Sequence, residues 1–205
     1  KSGVEPGLVE QIVGGCVTQA GEQSNNIARS AWLTRGKDWG TAGTTVDAQC
    51  GSSQQANHLV SAMIKAGQID VGIACGIEVM SHVGLGANVM NGPGFFQPQD
   101  WPWDSTPDQF TSAQRIAKNR GITCQDCDQF ALRSQTLAKQ ARAEGRFKRE
   151  ILPITAPTPD GSGGTIVVDQ DEGIRDTTME GLAALKPVLP DTVHTAGNSS
   201  QISDG

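Results

Sequence analysis

The chain has no tyrosine, only 4% aromatic residues and three histidines in 205 residues. No mechanism attaches to the missing tyrosine, but the shortage of histidine limits the choice of a general base. Basic residues are outnumbered, 16 Lys and Arg against 22 Asp and Glu, for a formal net charge of −6. A general nucleic-acid binder shows basic clustering instead, so no nucleic-acid partner is expected. No apolar run approaches the roughly 20 residues of a membrane span, so no membrane partner is expected either. No charged-then-apolar leader opens the sequence, so no signal peptide is expected. The cysteines number five, an odd count, and their spacing matches no disulfide framework. A reducing, cytoplasmic location fits that usage. The formal glycosylation triplet Asn198-Ser199-Ser200 should then stay unmodified. Gly161-Ser162-Gly163-Gly164 lacks the Gly-Lys-Ser/Thr ending of a phosphate loop.

What is present is Thr44-Thr45-Val46-Asp47-Ala48-Gln49-Cys50-Gly51-Ser52-Ser53. A β-type run delivers one cysteine to the first turn of an amphipathic helix, on which Ala56, Leu59, Val60, Met63, Ile64 and Gly67 follow helical spacing. Gly67 supplies a C-terminal stop. A helix N-terminus carries unpaired N–H groups and about half a positive charge, which suits a nucleophilic thiolate. The alternative is a small core cysteine. The next run, Asp70-Val71-Gly72-Ile73-Ala74-Cys75-Gly76-Ile77, reads as a buried strand of a mostly parallel sheet. Cys50 is thus expected at a strand-to-helix switch in a β-α-β unit, the edge where open α/β sheets bind ligands.

The length suggests one domain, or one and a half. Residues 11–19 read as a strand interrupted by Gly14 and Gly15. Residues 25–35 read as a helix with Ile27, Ala28, Ala31 and Trp32 on one face, ended by Gly36. This is alternating α/β order. Residues 81–108 form a long Gly/Pro-rich stretch holding Phe95, Phe96, Trp101 and Trp103, of the kind that is usually functional. Helices are expected over 109–120 and about 125–144. The second has Thr123 as N-cap, Asp126 completing the box, and Phe130, Ser134, Leu137, Ala138 and Ala141 facing inward. Short strands at 151–155 and 165–168 flank a turn, and a short helix covers 178–185.

Other candidate sites are weaker. Cys124-Gln125-Asp126-Cys127 sits where a redox pair could lie, but no apolar strand feeds it, and Asp126 and Asp128 would raise a thiol pKa. Zinc would need two further ligands at finger-like spacing, and none occurs, so no metal site is expected. As a base for Cys50, His58 lies eight residues along the same helix, about 12 Å away. His82 reads as a loop residue, and His194 lies near the end of the sequence. Arg175 is a candidate phosphate ligand, with a solvated surface arginine as the plainer reading.

Five segments together resemble the thiolases. They are Cys50-Gly51-Ser52-Ser53, Cys75-Gly76-Ile77-Glu78-Val79-Met80-Ser81, Glu144-Gly145-Arg146-Phe147-Lys148-Arg149-Glu150-Ile151, Asp171-Glu172-Gly173-Ile174-Arg175 and Thr195-Ala196-Gly197-Asn198-Ser199-Ser200. They occur in that family's order and at its spacing, over essentially the whole chain. A narrower resemblance, to actinobacterial thiolases of steroid side-chain degradation, is carried by four segments. These are Asp47-Ala48-Gln49-Cys50, Gln54-Gln55-Ala56-Asn57-His58, Asp108-Gln109-Phe110 and Ser199-Ser200-Gln201-Ile202-Ser203-Asp204-Gly205.

The resemblance implies an α/β fold: an incomplete N-terminal half of a thiolase, a mixed sheet flanked by helices, with an inserted loop domain. Residues 1–80 would be the N-terminal domain without its first strand, 81–190 the loop domain, and 191–205 the return. It implies Cys50 as the nucleophile, acylated as a 3-oxoacyl-CoA is cleaved to acetyl-CoA and a shortened acyl-CoA. Arg175, Ala196 and Ser200 become candidate CoA contacts. No cofactor would be tightly bound, coenzyme A being a co-substrate. The usual Met-Gly is replaced by Gln109-Phe110-Thr111-Ser112-Ala113-Gln114, which fits a bulkier acyl group. The family's histidine, acid/base cysteine and Asn-Glu-Ala-Phe asparagine come from a second half, and none of those motifs occurs here. Lys1 falls where a thiolase is already under way, and three of the half's five strands would remain, with exposed edges. Alone, such a chain should not turn over. Family members are dimers or tetramers, so the full-length protein would be a homo-oligomer. The alternatives are a non-catalytic thiolase-like chain that binds acyl-CoA or a partner half, and a small CxxC redox protein.

Overall fold

The computed structural model describes residues 2–35, 40–90, 99–104, 106 and 108–204. Two compact units form, Lys1–Trp101 with Ser203–Gly205, and Pro102–Ile202.

In the first unit, strand β1 (Gln11–Gly15) lies between β2 (Ala42–Val46) and β3 (Gly72–Gly76), all parallel. Gly15 is in register with Val46 on one side and Gly76 on the other, so the three carboxyl ends form one edge. Alternation along β1 sends its side chains to two different helices. Ile12 joins Val9 and Ala28 of helix α1 (Ile27–Arg35), with Trp32, Val71 and Ile73 against them. Val13 joins Ala56 and Val60 of helix α2 (Ser52–Lys65), with Val46, Leu59, Met63 and Ala74. The sheet is thus covered on both faces, as a parallel sheet requires.

The two glycines that seem to interrupt β1 are the points of closest approach. A Cβ on Gly14 would lie 2.7 Å from Ala28 Cβ. One on Gly15 would lie 2.4 Å from the backbone of Ser52 and Ser53, which cannot yield. Helix α2 ends as expected at Gly67, where the N–H groups of Gly67 and Gln68 donate to Ile64 and Met63. Two expectations are corrected. Ile64 and Ala31 are exposed, because each helix covers the sheet with a narrower stripe than the spacing implies. β3 is an edge strand, half-buried at its start and exposed at Cys75 and Gly76. Gly36, Phe95 and Phe96 lie outside the described residues. Of the long stretch, Ala87–Met90 forms a short helix, α3, and Trp101 and Trp103 are exposed.

In the second unit, Asp108 caps helix α4 (Gln109–Arg120) by accepting from Thr111 N–H. Helix α5 (Cys124–Ala143) opens with the expected Thr123–Asp126 capping box. Strands β4 (Ile154–Pro157) and β5 (Thr165–Val168) form an exposed antiparallel hairpin. β4 begins three residues later than the sequence suggests and includes Pro157, which pairs with Thr165 at the hairpin end. Helix α6 (Met179–Ala183) is capped by Thr178. The inner face of α5 is only partly the expected one. Ala138 and Ala141 are half-buried as expected, but Phe130, Ser134 and Leu137 face solvent, while Asp128 is buried and Cys124, Cys127, Ala131 and Gln135 are half-buried.

Candidate active site

The chain leaves β2 through a five-residue turn, Asp47 to Gly51, and enters α2 at Ser52. Cys50 therefore sits one residue before the Gly51 N-cap rather than in the first helical turn. Three features hold it there. Asp47 Oδ1 accepts from Gln49 N–H at 2.8 Å. Gln49 takes φ 52°, a left-handed conformation costing a side-chain-bearing residue about 1–3 kcal/mol. Ser52, almost fully buried, donates from Oγ to Gln49 C=O at 2.6 Å and accepts from Ala48 N–H at 2.9 Å. The turn is thereby fastened from inside and Cys50 is left exposed. Gly76 completes the support, since a Cβ there would lie 1.8 Å from Ser53 Oγ. Gly51 has no side chain to cap α2, so its first-turn N–H groups are not taken up by their own N-cap side chain.

The other four cysteines have quieter settings. Burial, with Glu78 beside it, pushes the Cys16 thiol up to about 11. Cys75 is exposed as a residue, but its sulfur turns back toward the sheet, where its S–H points at Val13 C=O, and desolvation there raises its thiol. Cys124 and Cys127 are raised by burial and by Asp128, with Asp126 adding to the second. All five are free thiols. Glu78, just past β3, accepts from Val17 N–H (2.6 Å), Thr18 N–H (3.0 Å) and Gln23 Nε2 (3.0 Å). Burial alone would raise its carboxyl, but the three donors outweigh it and hold the pKa below the usual range. Gln23 Oε1 accepts from Val79 N–H, so this network ties the segments after β1 and β3 together at the edge that carries Cys50.

Two of the three histidines are paired elsewhere. His58 pairs with Gln54 on α2, and His82 with Glu22 on the surface. His194 belongs to the second unit, its Nε2 buried without a hydrogen-bond partner among the described residues.

Arg175, Ala196 and Ser200 all lie exposed in the second unit. Arg175 N–H donates to Gln135 Oε1 of α5 at 2.9 Å. Ala196 sits in a tight loop closed by Asn198, whose Oδ1 accepts from Thr195 N–H and whose backbone N–H donates to Thr195 C=O. Gln114 of α4 accepts from Val193 N–H, so one residue of the unusual 109–114 segment holds the chain just before this loop. The sequence reading missed Ser52, Asp128 and Gln135. The small polar residue two places after Cys50 was a signal for the first. Polar residues at helical spacing on the supposed outer face were the only one for the others. Among the described residues, no group of three or more His, Cys, Asp or Glu could hold a metal ion, and no helix is long and apolar enough to cross a membrane.

Comparisons with known proteins identify the family. The family model "Thiolase, N-terminal domain" matches residues 1–205. The chain belongs to the thiolase family. Among similar thiolases, the 3-ketoacyl-CoA thiolase of Shewanella baltica is 41% identical over 206 residues, covering 98% of this chain and 52% of that protein. The 3-ketoacyl-CoA thiolase of a Marinomonas species is 39% identical over 200 residues, covering 96% and 50%. The crystal structure of the Bacillus anthracis acetyl-CoA acetyltransferase matches with TM-score 0.78 and 31% identity, over 98% of this chain and 53% of that one. This thiolase chain thus spans about half the length of the curated relatives it matches.

Proposed function

We propose that this chain supplies the acyl-accepting part of a thiolase reaction, the thiolytic cleavage of a 3-oxoacyl-CoA. Cys50 Sγ attacks the C3 carbonyl carbon. The C2–C3 bond breaks, its electron pair passes to C2, and C2 takes a proton to leave as acetyl-CoA. The shortened acyl group stays on Cys50 as a thioester and is then attacked by the sulfur of a second CoA. A thioester is exchanged for a thioester, so the energy of the bond is kept, and one carbon–carbon cleavage becomes two easier steps. The observation that carries this reading is the exposed Cys50 on a turn fastened from below by Ser52. The α2 N-terminus has no side-chain cap, and its positive end suits a carbonyl oxygen that gains negative charge during attack.

In this reading residues 81–190 form the insertion that receives CoA. Arg175 meets its phosphates, and Ala196 and Ser200 line its path, supported by their exposure and by the family motifs they occupy. The substrate carries a bulky, steroid-derived acyl group, as the 109–114 segment suggests. The full-length protein works as a cytoplasmic dimer or tetramer. Incubation with acetoacetyl-CoA followed by intact-mass analysis tests the chemistry. An acetyl adduct that Cys50→Ala abolishes supports it. Absence of any adduct while CoA still binds would leave a binding chain without acyl transfer. A bulky 3-oxoacyl-CoA should acylate Cys50 faster than acetoacetyl-CoA; a slower rate removes the steroid assignment.

A further inference from the structure

We infer that Asp128 and Gln135, buried and half-buried on the inner face of α5, are positioning residues that set the geometry of the CoA-binding segments. The inference rests on the proposed CoA contacts and says what aims them. The two residues are seven apart, which places them on one helix face about 10.5 Å from each other along the axis. Each holds a different segment. Gln135 Oε1 accepts from Arg175 N–H at 2.9 Å, and its Nε2 donates to Gly173 C=O at 3.5 Å, so one amide pins the backbone on which Arg175 stands. Asp128 Oδ1 accepts from Asn198 Nδ2 at 2.9 Å. That same Nδ2 donates to Val193 C=O at 3.1 Å, and Asn198 Oδ1 accepts from Thr195 N–H at 2.9 Å. Asp128 therefore holds the side chain around which residues 193–198 are wound, with Ala196 on the outside.

The two segments also touch each other. A Cβ on Gly173 would lie 2.1 Å from Gln201 Nε2, so the Arg175 loop and the segment after Ser200 are in direct contact. Asp128 is 3% exposed. A carboxyl group is costly to bury, and an apolar residue would fill that space better if packing were all it did. Its second oxygen meets the Cys124 S–H at 3.7 Å, a weak donor, which leaves Asn198 as the strong one. Direction, not packing, is what these two polar side chains contribute.

The experiment is calorimetric titration of CoA into the full 205-residue chain, with a thermal melt of each variant. Gln135→Leu and Asp128→Leu should each weaken CoA binding about tenfold. Asp128→Asn should keep most of the affinity, because its Oδ1 still accepts from Asn198. Gln135 acts through Arg175, so Gln135→Leu should add almost nothing in an Arg175→Ala background, whereas Asp128→Leu should still add its loss there. Should Asp128→Leu not fold, Asp128→Asn and Gln135→Leu carry the test. The inference is overturned if Gln135→Leu is fully additive with Arg175→Ala, or if Asp128→Asn binds much more weakly than wild type while melting normally. It is also overturned if Arg175→Ala weakens binding but Gln135→Leu and Asp128→Leu do not, in which case the CoA assignment survives without it. If Arg175→Ala binds CoA normally, the CoA assignment itself fails, and the inference with it.

Discussion

Helix α2 buries Ala56 and Val60 against the sheet, whereas α5 buries Asp128 and turns Phe130 to solvent at 71% exposure. One helix is held on the sheet by apolar contact, whereas the other adds to its packing on α6 directed hydrogen bonds to loops. The first suits a rigid mount for a nucleophile. Apolar packing and two glycines fix where α2 starts, so the turn before it can store the strain of a left-handed Gln49. The second suits a binding surface made of loops, which have no regular ladder and take their shape from side chains of a neighbouring helix.

The sharpest way to break this contrast is Gly15→Ala. Its methyl would meet the α2 backbone, so we expect a loss of about 3 kcal/mol or more in urea denaturation, and loss of Cys50 acylation with it. A loss under about 1 kcal/mol would mean that the α2 start is not set by this contact. Next, Val60→Ala should cost about 2–3 kcal/mol by lost burial and a cavity, while Phe130→Ala should fall within about 0.5 kcal/mol of wild type. Equal losses would erase the distinction between the helices. Ser52→Ala removes the two Oγ bonds that brace the turn and should cost about 1–2 kcal/mol. It should also slow Cys50 acylation more than it lowers the melting temperature would suggest.

The difference between the units also decides what the sequence could reveal. Helical spacing located α2, its stop at Gly67 and the face carrying Ala56 and Val60, because those positions are chosen by burial. Capping chemistry located the start of α5, because Thr123 and Asp126 act locally. The inner face of α5 was legible only in part: Ala138 and Ala141 lie inward as expected, but Phe130 and Leu137 do not, whereas Gln135 points in to meet the Arg175 backbone 40 residues away and Asp128 the Asn198 side chain 70 residues away. Spacing alone cannot show such partners. For the same reason the place of Cys50 was legible to within two residues, while the Ser52 fastening and the left-handed Gln49 depend on backbone geometry that no residue type dictates. Gly14 and Gly15 looked like interruptions because a strand pattern counts side chains, and their function is to have none.

The gentlest probe concerns pH. The Glu78 carboxyl is held below its ordinary 4.5, so its contribution to stability is complete above 4.5 and is lost as pH falls through the folded value. Glu78→Gln should flatten that acid limb of stability measured by denaturation; an unchanged limb would remove the Glu78 network from the account.

The most direct test of the central claim is to map the acetyl label after exposing the unmodified chain to acetoacetyl-CoA. Burial holds the Cys16, Cys75, Cys124 and Cys127 thiols protonated to higher pH than usual, and Cys50 alone stands on the fastened turn. The label should fall on the peptide containing Cys50 and on no other cysteine. Label on any of the other four, with Cys50 unmodified, would contradict the account.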